Sequence, residues 1–258
     1  MNTNDNKISV VINTRNSEQH LDKVLQSVKE FDEIVICDMY STDKTIEIAE
    51  KYNCKIVFIE PSPDKIVEPA RNFAIQSATH KYVLVLDSDE IITTNLRKYL
   101  YDTIQKAKEP VALLITLRTL LMGKLLRHTG YIARFFPREG ADWPPVIHSR
   151  PSVNATWRKI PRNRKELSII HLDYGSIEHT LGKYVTYINN EAVRREKKPI
   201  SLFKMITSTN VRFMKFYIFK LGFLDGKAGY VSARLMSMYK FLTLVRLEEE
   251  LEKERSKK

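Results

Sequence analysis

The chain has 258 residues, 43% hydrophobic and 28% charged, which is enough apolar material for one large core and too much charge for a protein built mainly of membrane spans. No run reaches the roughly 18 uncharged apolar residues of a spanning helix, and the opening MNTNDNKISVV lacks a basic segment followed by an apolar one, so no signal peptide is expected. The net charge of +11 is uneven: residues 1–110 hold 14 Lys and Arg against 18 Asp and Glu, residues 111–178 hold 11 against 5, and residues 179–258 hold 17 against 8, so a positive field belongs to the back half, where nucleic acid, phosphorylated small molecules or an anionic membrane would meet it.

Residues 8–12 (ISVVI) form a short apolar strand, followed by the polar turn Asn13-Thr14-Arg15-Asn16-Ser17. Leu21, Val24, Leu25 and Val28 then recur at helical spacing, with Ser17 as the expected N-cap. A second strand, 33–38, stops on the carboxylate of Asp38. Ser41-Thr42-Asp43 opens a helix over 43–52, and residues 54–59 make a third strand. Cys37 and Cys54 each fall in a strand and read as buried free thiols of a cytosolic protein rather than a disulfide or a metal site. After the Pro61-Ser62-Pro63 loop come a helix over 66–78 containing Arg71-Asn72, and a fourth strand, 81–86. This regular alternation predicts an α/β fold with a mostly parallel sheet and helices on both faces. Right-handed crossovers then bring Thr14, Asp38 and residues 87–89 to one rim.

The stretch KYVLVLDSDE (81–90) carries the chemistry. Its apolar run has no period-2 alternation, as in a strand covered on both faces. It breaks into Asp87-Ser88-Asp89-Glu90 at the strand's carboxyl end, where α/β folds place ligands. Carboxylates there suit a hard divalent cation holding phosphate; an acidic helix start is the bland alternative. No G-x-G-x-x-G and no G-x-x-x-x-G-K-[ST] is present, so phosphate would be met by a metal and basic side chains, not by a glycine cradle.

The segments SVVINTRN, DEIVICDMYSTDKT, ARN (70–72) and VLVLDSDE, in this order and spacing, resemble the nucleotide-binding half of family 2 glycosyltransferases with the GT-A fold, over about residues 7–110. The resemblance implies a GT-A-like mixed sheet and a nucleotide sugar, uridine-linked by expectation. It implies Asp38 on the base, Thr14 lining the pocket, Arg71 near the nucleotide, Asp87 close to the ribose and metal, and Asp89 with Asp87 as the D-x-D pair holding Mn²⁺ or Mg²⁺.

From Val111 the pattern changes. Residues 111–117 and 131–136 are expected strands joined by the basic segment 118–127, and RFFPREGADWPPVIHSRP follows. Arg134-Phe135-Phe136 and Val146-Ile147-His148 are similar to the lipopolysaccharide-core β-1,4-glucosyltransferase branch, but Ser149 stands where that branch carries an acid. An inverting transferase needs a carboxylate to take the acceptor proton. Glu139, Asp142, Asp173 and Glu178 are the substitutes within reach in sequence, and Asp142, ahead of Trp143-Pro144-Pro145, is preferred. His148 is assigned to substrate contact with Asp142 as the catalytic pair, His171 is the second choice, and either histidine is a possible further metal ligand; Trp143 and Trp157 are candidate sugar platforms. Residues 174–198 read as a helix ending in a basic run. Residues 201–221 interleave aromatic and aliphatic residues with Lys204, Arg212, Lys215 and Lys220, which suits a helix lying in an anionic membrane interface, and a second helix is expected over about 228–247.

The expected organisation is therefore a nucleotide-sugar half (1–110), an acceptor half (111–198) and an amphipathic helical extension (199–258). The expected activity is inverting, metal-dependent transfer of a hexose to a lipid-linked cell-surface glycan, by a protein peripheral at the inner face of the cytoplasmic membrane and with no nucleic-acid partner. The competing readings are a basic nucleic-acid- or lipid-binding module, and a degenerate transferase that binds a sugar nucleotide without turnover.

Overall fold

A computed structural model describes residues 6–62, 67–145, 149–172, 177–195 and 198–256. The chain forms two compact units, one of residues 1–118 with 129–172 and a second of 119–128 with 173–258.

The first unit is built on a sheet that among the described residues has nine strands: β1 (Ile8–Thr14), β2 (Glu33–Asp38), β3 (Lys55–Phe58), β4 (Tyr82–Asp87), β5 (Glu90–Ile92), β6 (Val111–Leu121), β7 (Lys124–Pro137), β8 (Thr156–Lys159) and β9 (Ser168–His171). Their order is β3-β2-β1-β4-β7-β6-β9-β5, with β8 parallel on β6. The pairs β1–β2, β1–β4 and β2–β3 are parallel, whereas β4–β7 and β5–β9 are antiparallel. The sheet is thus mixed, as expected, with its parallel half first in the chain.

Alternation along the central strands sorts the core into two layers. Ile8, Val10 and Ile12 of β1 and Leu84 and Leu86 of β4 face one side, against Leu21 and Leu25 of α1 (Glu18–Val28) and Leu96 and Leu100 of α4 (Thr94–Lys106). Val11, Val83 and Val85 face the other, against Ala70, Ala74 and Ile75 of α3 (Glu68–Ser77). Both faces of these strands are therefore dry, which is why their sequences are continuously apolar.

Several boundaries differ from expectation. The helix after β2, α2, spans Thr45–Lys51 and starts later than residue 43 because Asp43 accepts hydrogen bonds from Thr45 N at 3.0 Å and Thr45 Oγ1 at 2.5 Å. Ser17 does not cap α1 with its side chain. The basic segment 118–127 does not break β6 from β7 but completes both strands, which turn at Met122 (φ +50°) and Gly123 (φ +72°). Two consecutive positive φ values are those of the hairpin turn that matches strand twist. The acids at 87–90 do not open a helix either. Glu90 begins β5, and α4 is capped by Thr93, whose Oγ1 accepts from Leu96 N at 3.0 Å.

The second unit holds α5 (Ile177–Arg194), α6 (Leu202–Met214), which continues as one π turn over Lys215–Phe219, a 3₁₀ turn (Gly222–Asp225) and α7 (Gly226–Arg255). α6 starts from Ser201, whose Oγ accepts from Lys204 N at 3.2 Å. α7 packs on α5 through Tyr184 and Tyr239, centroids 5.0 Å apart, and on α6 through Ser237 Oγ donating to Thr209 O at 2.9 Å. No helix among the described residues is long and apolar enough to cross a membrane.

Candidate active site

Parallel pairing brings the strand ends together as the sequence predicts. Thr14 is the register partner of Asp38, and Asn13 that of Asp87. The turns beyond these residues form a rim at the carboxyl ends of β1, β2 and β4, the usual ligand position of such sheets.

Asp38 is wholly buried, and three donors satisfy it: Thr14 Oγ1 at 2.6 Å and Ser41 Oγ at 2.6 Å on Oδ2, and Ser41 N at 2.7 Å on Oδ1. Asn16 N donates to Ser41 Oγ at 2.8 Å, and Thr42 N donates to Asn16 Oδ1 at 2.8 Å. Thr14 and Asp38, both expected in the nucleotide pocket, therefore shape the rim from beneath by tying the turn after β1 to the turn after β2. Ser17 Oγ donates to Ser88 Oγ at 2.9 Å and adds the turn after β4 to the same assembly. Phe58, the register partner of Asp38 on β3, belongs to an aromatic pair that the sequence reading missed. Tyr40, more than half exposed with φ +56°, stacks on Phe58 with centroids 5.7 Å apart.

Asp87 ends β4 between two guanidinium groups. Arg71 Nη2 of α3 lies 2.7 Å from Oδ1, and Arg134 Nη2 of β7 lies 2.5 Å from Oδ2. The same Arg134 nitrogen is 2.8 Å from Glu90 Oε1, while Asp87 N donates to Glu90 Oε2 at 3.0 Å. Burial would raise the pKa of Asp87, but the charges of Arg134 and then Arg71 overcome it and hold the carboxyl well below the usual carboxylate range. Glu90 goes the other way: burial raises it, the Arg134 charge opposes, and the neighbouring Asp87 charge raises it further. Burial likewise disfavours the Arg134 cation, yet Asp87 and Glu90 outweigh it and push its pKa up. Asp87 had been expected to share the metal with Asp89. Both of its oxygens lie on arginines, so it anchors the ion network at this rim.

Asp89 projects from the turn between β4 and β5, and its partner is a histidine. Its Oδ2 is 3.3 Å from Nε2 of His171, the last residue of β9, and both side chains are largely buried. Leu172 N donates to Asp89 O at 2.8 Å and fixes the turn. An oxygen and an imidazole at this separation match adjacent ligands of an octahedral ion with bonds near 2.1 Å, whose cis ligands lie about 3 Å apart. The described residues contain no group of three or more His, Cys, Asp or Glu able to hold a metal. The pair therefore fits Mg²⁺ or Mn²⁺ only in the manner usual for those ions, with phosphate and water completing the shell.

Arg71 also lies over the Trp143 ring, 4.9 Å from its centroid. Asn72 clamps the same loop: its Nδ2 donates to Asp142 Oδ1 and to Trp143 O, each at 3.0 Å, and its Oδ1 accepts from Trp143 N at 2.7 Å. Asp142 is thereby brought beside the first turns of α3 with an exposed side chain. Trp143 is 4% exposed and meets Phe136 edge-on, so it is core and not the open sugar platform expected; Trp157 packs on the same Phe136. Ser149 Oγ donates to Pro144 O at 3.0 Å. His148 and Asp173, and the side chain of Glu178, lie outside the described residues.

Sequence reasoning gave Arg134 no site role, took Glu90 only as one of the carboxylates of the acidic stretch, and ranked His171 second. A signal was present for the first two: a single arginine inside the apolar run I-A-R-F-F, and an acid leading E-I-I, each demand a buried partner of opposite sign.

Comparison with known proteins agrees with this architecture. The model described as "Glycosyl transferase family 2" matches residues 9–164. An uncharacterised glycosyltransferase of Rickettsia conorii is 25% identical over 257 residues, covering 94% of this chain and 90% of that protein. The lipopolysaccharide core biosynthesis glycosyltransferase LpsC of Rhizobium meliloti is 24% identical over 256 residues, covering 93% and 91%. Among solved structures, the mannosyltransferase PcManGT from Pyrobaculum calidifontis, in complex with GDP-Man and Mn²⁺, matches with a TM-score of 0.56 at 14% identity over 93% of this chain and 86% of that one, a likeness of fold. The family match spans more than half of the chain and contains β1 to β4 with their rim turns: the protein is a glycosyltransferase, a member of glycosyl transferase family 2 with a GT-A-like fold.

Proposed function

We propose that the protein is an inverting, divalent-metal-dependent hexosyltransferase that uses a uridine-linked sugar nucleotide and acts on a lipopolysaccharide-core or other lipid-linked cell-surface glycan at the inner face of the cytoplasmic membrane. The observation that carries the reading is the Asp89–His171 pair, seated on a rim that a buried ion network holds in place. A bound Mn²⁺ or Mg²⁺ supplies charge neutralisation for a diphosphate leaving group. The chain's own residues supply the rest. Asp89 and His171 would hold the ion. Arg71, at the same rim, is a fixed positive charge for the nucleotide, and Asp87 keeps it aimed. Tyr40 and Phe58 offer the base a stacking surface beside the turn that Asp38 and Thr14 organise. Asp142, tied to α3 through Asn72, takes the acceptor proton. Support for the membrane comes from α6, where Leu202 and Phe203 are more than two-thirds exposed, and from the similarity to LpsC.

Calorimetric titration of UDP, with GDP as control, tests the donor site. UDP binding that needs Mn²⁺ and is lost in Asp89→Ala and in His171→Ala is expected. Binding indifferent to chelator and to both substitutions would remove the metal from the mechanism.

A further inference from the structure

The helical unit holds a second concavity, made wholly of its own residues. Its cavity, about 300 Å³, lies among the end of α5, the middle of α6 with the π turn, and α7. Four cations line it, Arg195, Arg212, Lys215 and Lys240, against one acid, Glu191. Glu191 is already committed: it is ion-paired with Arg195 and accepts from Tyr239 OH at 2.8 Å. Among the described residues no carboxylate forms an ion pair with Arg212, Lys215 or Lys240. The hydroxyls that line the cavity are turned elsewhere, Ser208 Oγ donating to Lys204 O at 2.6 Å and Thr243 Oγ1 to Tyr239 O at 2.8 Å.

Arg212 is the clearest sign of a missing partner. Its guanidinium lies over the Phe216 ring at 5.3 Å, and its Nε is buried without a hydrogen-bond acceptor among the described residues. Burial, and the charges of Arg195, Arg212 and Lys204 against that of Glu191, pull the Lys240 ammonium below its ordinary pKa. A helical bundle gains no stability from crowding cations; a bound dianion would relieve the repulsion and accept from each donor.

We propose that this pocket binds a phosphate group, with Arg212, Lys215 and Lys240 as its donors and Arg195 as the flanking cation. Phosphate fits because it is a multiply charged anion whose oxygens accept from several cations at once, and Arg and Lys together supply fork and point-charge donors. The proposal is independent of the donor-sugar assignment, since none of these residues belongs to the unit that carries Asp89 and His171. Two sources present the same chemistry: the headgroup of a phosphorylated lipid, or a soluble phosphomonoester.

The test uses the full chain at physiological ionic strength, where diffuse attraction is screened. Phosphatidylcholine vesicles with and without phosphatidic acid are sedimented with the protein, and inorganic phosphate is titrated separately. Arg212→Gln/Lys240→Gln and the exposed single change Lys215→Gln are compared with Lys227→Gln, an exposed lysine of α7 outside the pocket, each checked for native circular dichroism. The expected result is a loss of about tenfold in affinity for the pocket variants and none for Lys227→Gln. Retention by phosphatidic-acid vesicles assigns a lipid headgroup; binding of inorganic phosphate without vesicle retention assigns a soluble ligand. Absence of both bindings, or equal weakening by Lys227→Gln, would overturn the proposal.

Discussion

Arg134→Met is the perturbation whose cost the structure defines best. One guanidinium nitrogen bridges Asp87 and Glu90, and its side chain is 7% exposed. The two carboxylates do not lose equally. Asp87 keeps Arg71 and is one-third exposed, so its share is discounted to under about 1 kcal/mol. Glu90 is 1% exposed and would retain only the hydrogen bond from Asp87 N. Removing one partner of a buried pair costs about 3–5 kcal/mol, because the other charge is left without compensation. The substitution should therefore cost about 3–5 kcal/mol, a large part of the roughly 5–15 kcal/mol that holds a domain together. Urea unfolding measures it as a fall in midpoint. Adding Glu90→Gln should recover about 1–3 kcal/mol, since a neutral amide replaces the orphaned carboxylate. pH adds a signed check. The folded-state pKa of Glu90 is already raised, so its contribution to stability is complete below the unfolded value of about 4.3 and is lost as pH rises through the folded one. Losing Arg134 raises that folded value further, and the gap between variant and wild type should widen from acid to neutral pH. A cost under about 1 kcal/mol, or a gap that narrows with rising pH, would refute the account of this network.

Asp87→Asn should flatten the acid limb of the stability profile, because a carboxyl held low in the folded state contributes above about pH 3.9 and loses that contribution as pH falls; pH-dependent urea midpoints check it. Ser41→Ala should cost about 1–3 kcal/mol by removing the Oγ donor, one of three on buried Asp38, and should weaken UDP binding in calorimetry by loosening the rim. Met122→Asn should stabilise by roughly 0.5–1 kcal/mol in thermal unfolding, since asparagine tolerates the positive φ that Met122 adopts before Gly123. Asp142→Asn should lower the rate of sugar transfer by about 10²–10⁴ while leaving UDP affinity unchanged; an unaltered rate would dismiss Asp142 as the base.

The order of elements and the gathering of the strand ends at one rim were legible in the sequence alone. Apolar runs at 8–12, 33–38 and 81–86, separated by helical periodicity, leave a parallel sheet as the economical solution, and crossover handedness then collects Thr14, Asp38 and Asp87 at one end. Which partners the rim's acids meet was not legible, because those partners are supplied from far along the chain. Arg134 reaches Asp87 across 47 positions by antiparallel pairing of β7 with β4, and it makes that residue an ion-pair anchor. His171 reaches Asp89 through the pairing of β9 with β5, a three-residue strand too short to leave a periodic signal. Local pattern records what a residue buries; only the register between distant strands decides which charge it meets, and at this site the charge met determines the chemistry.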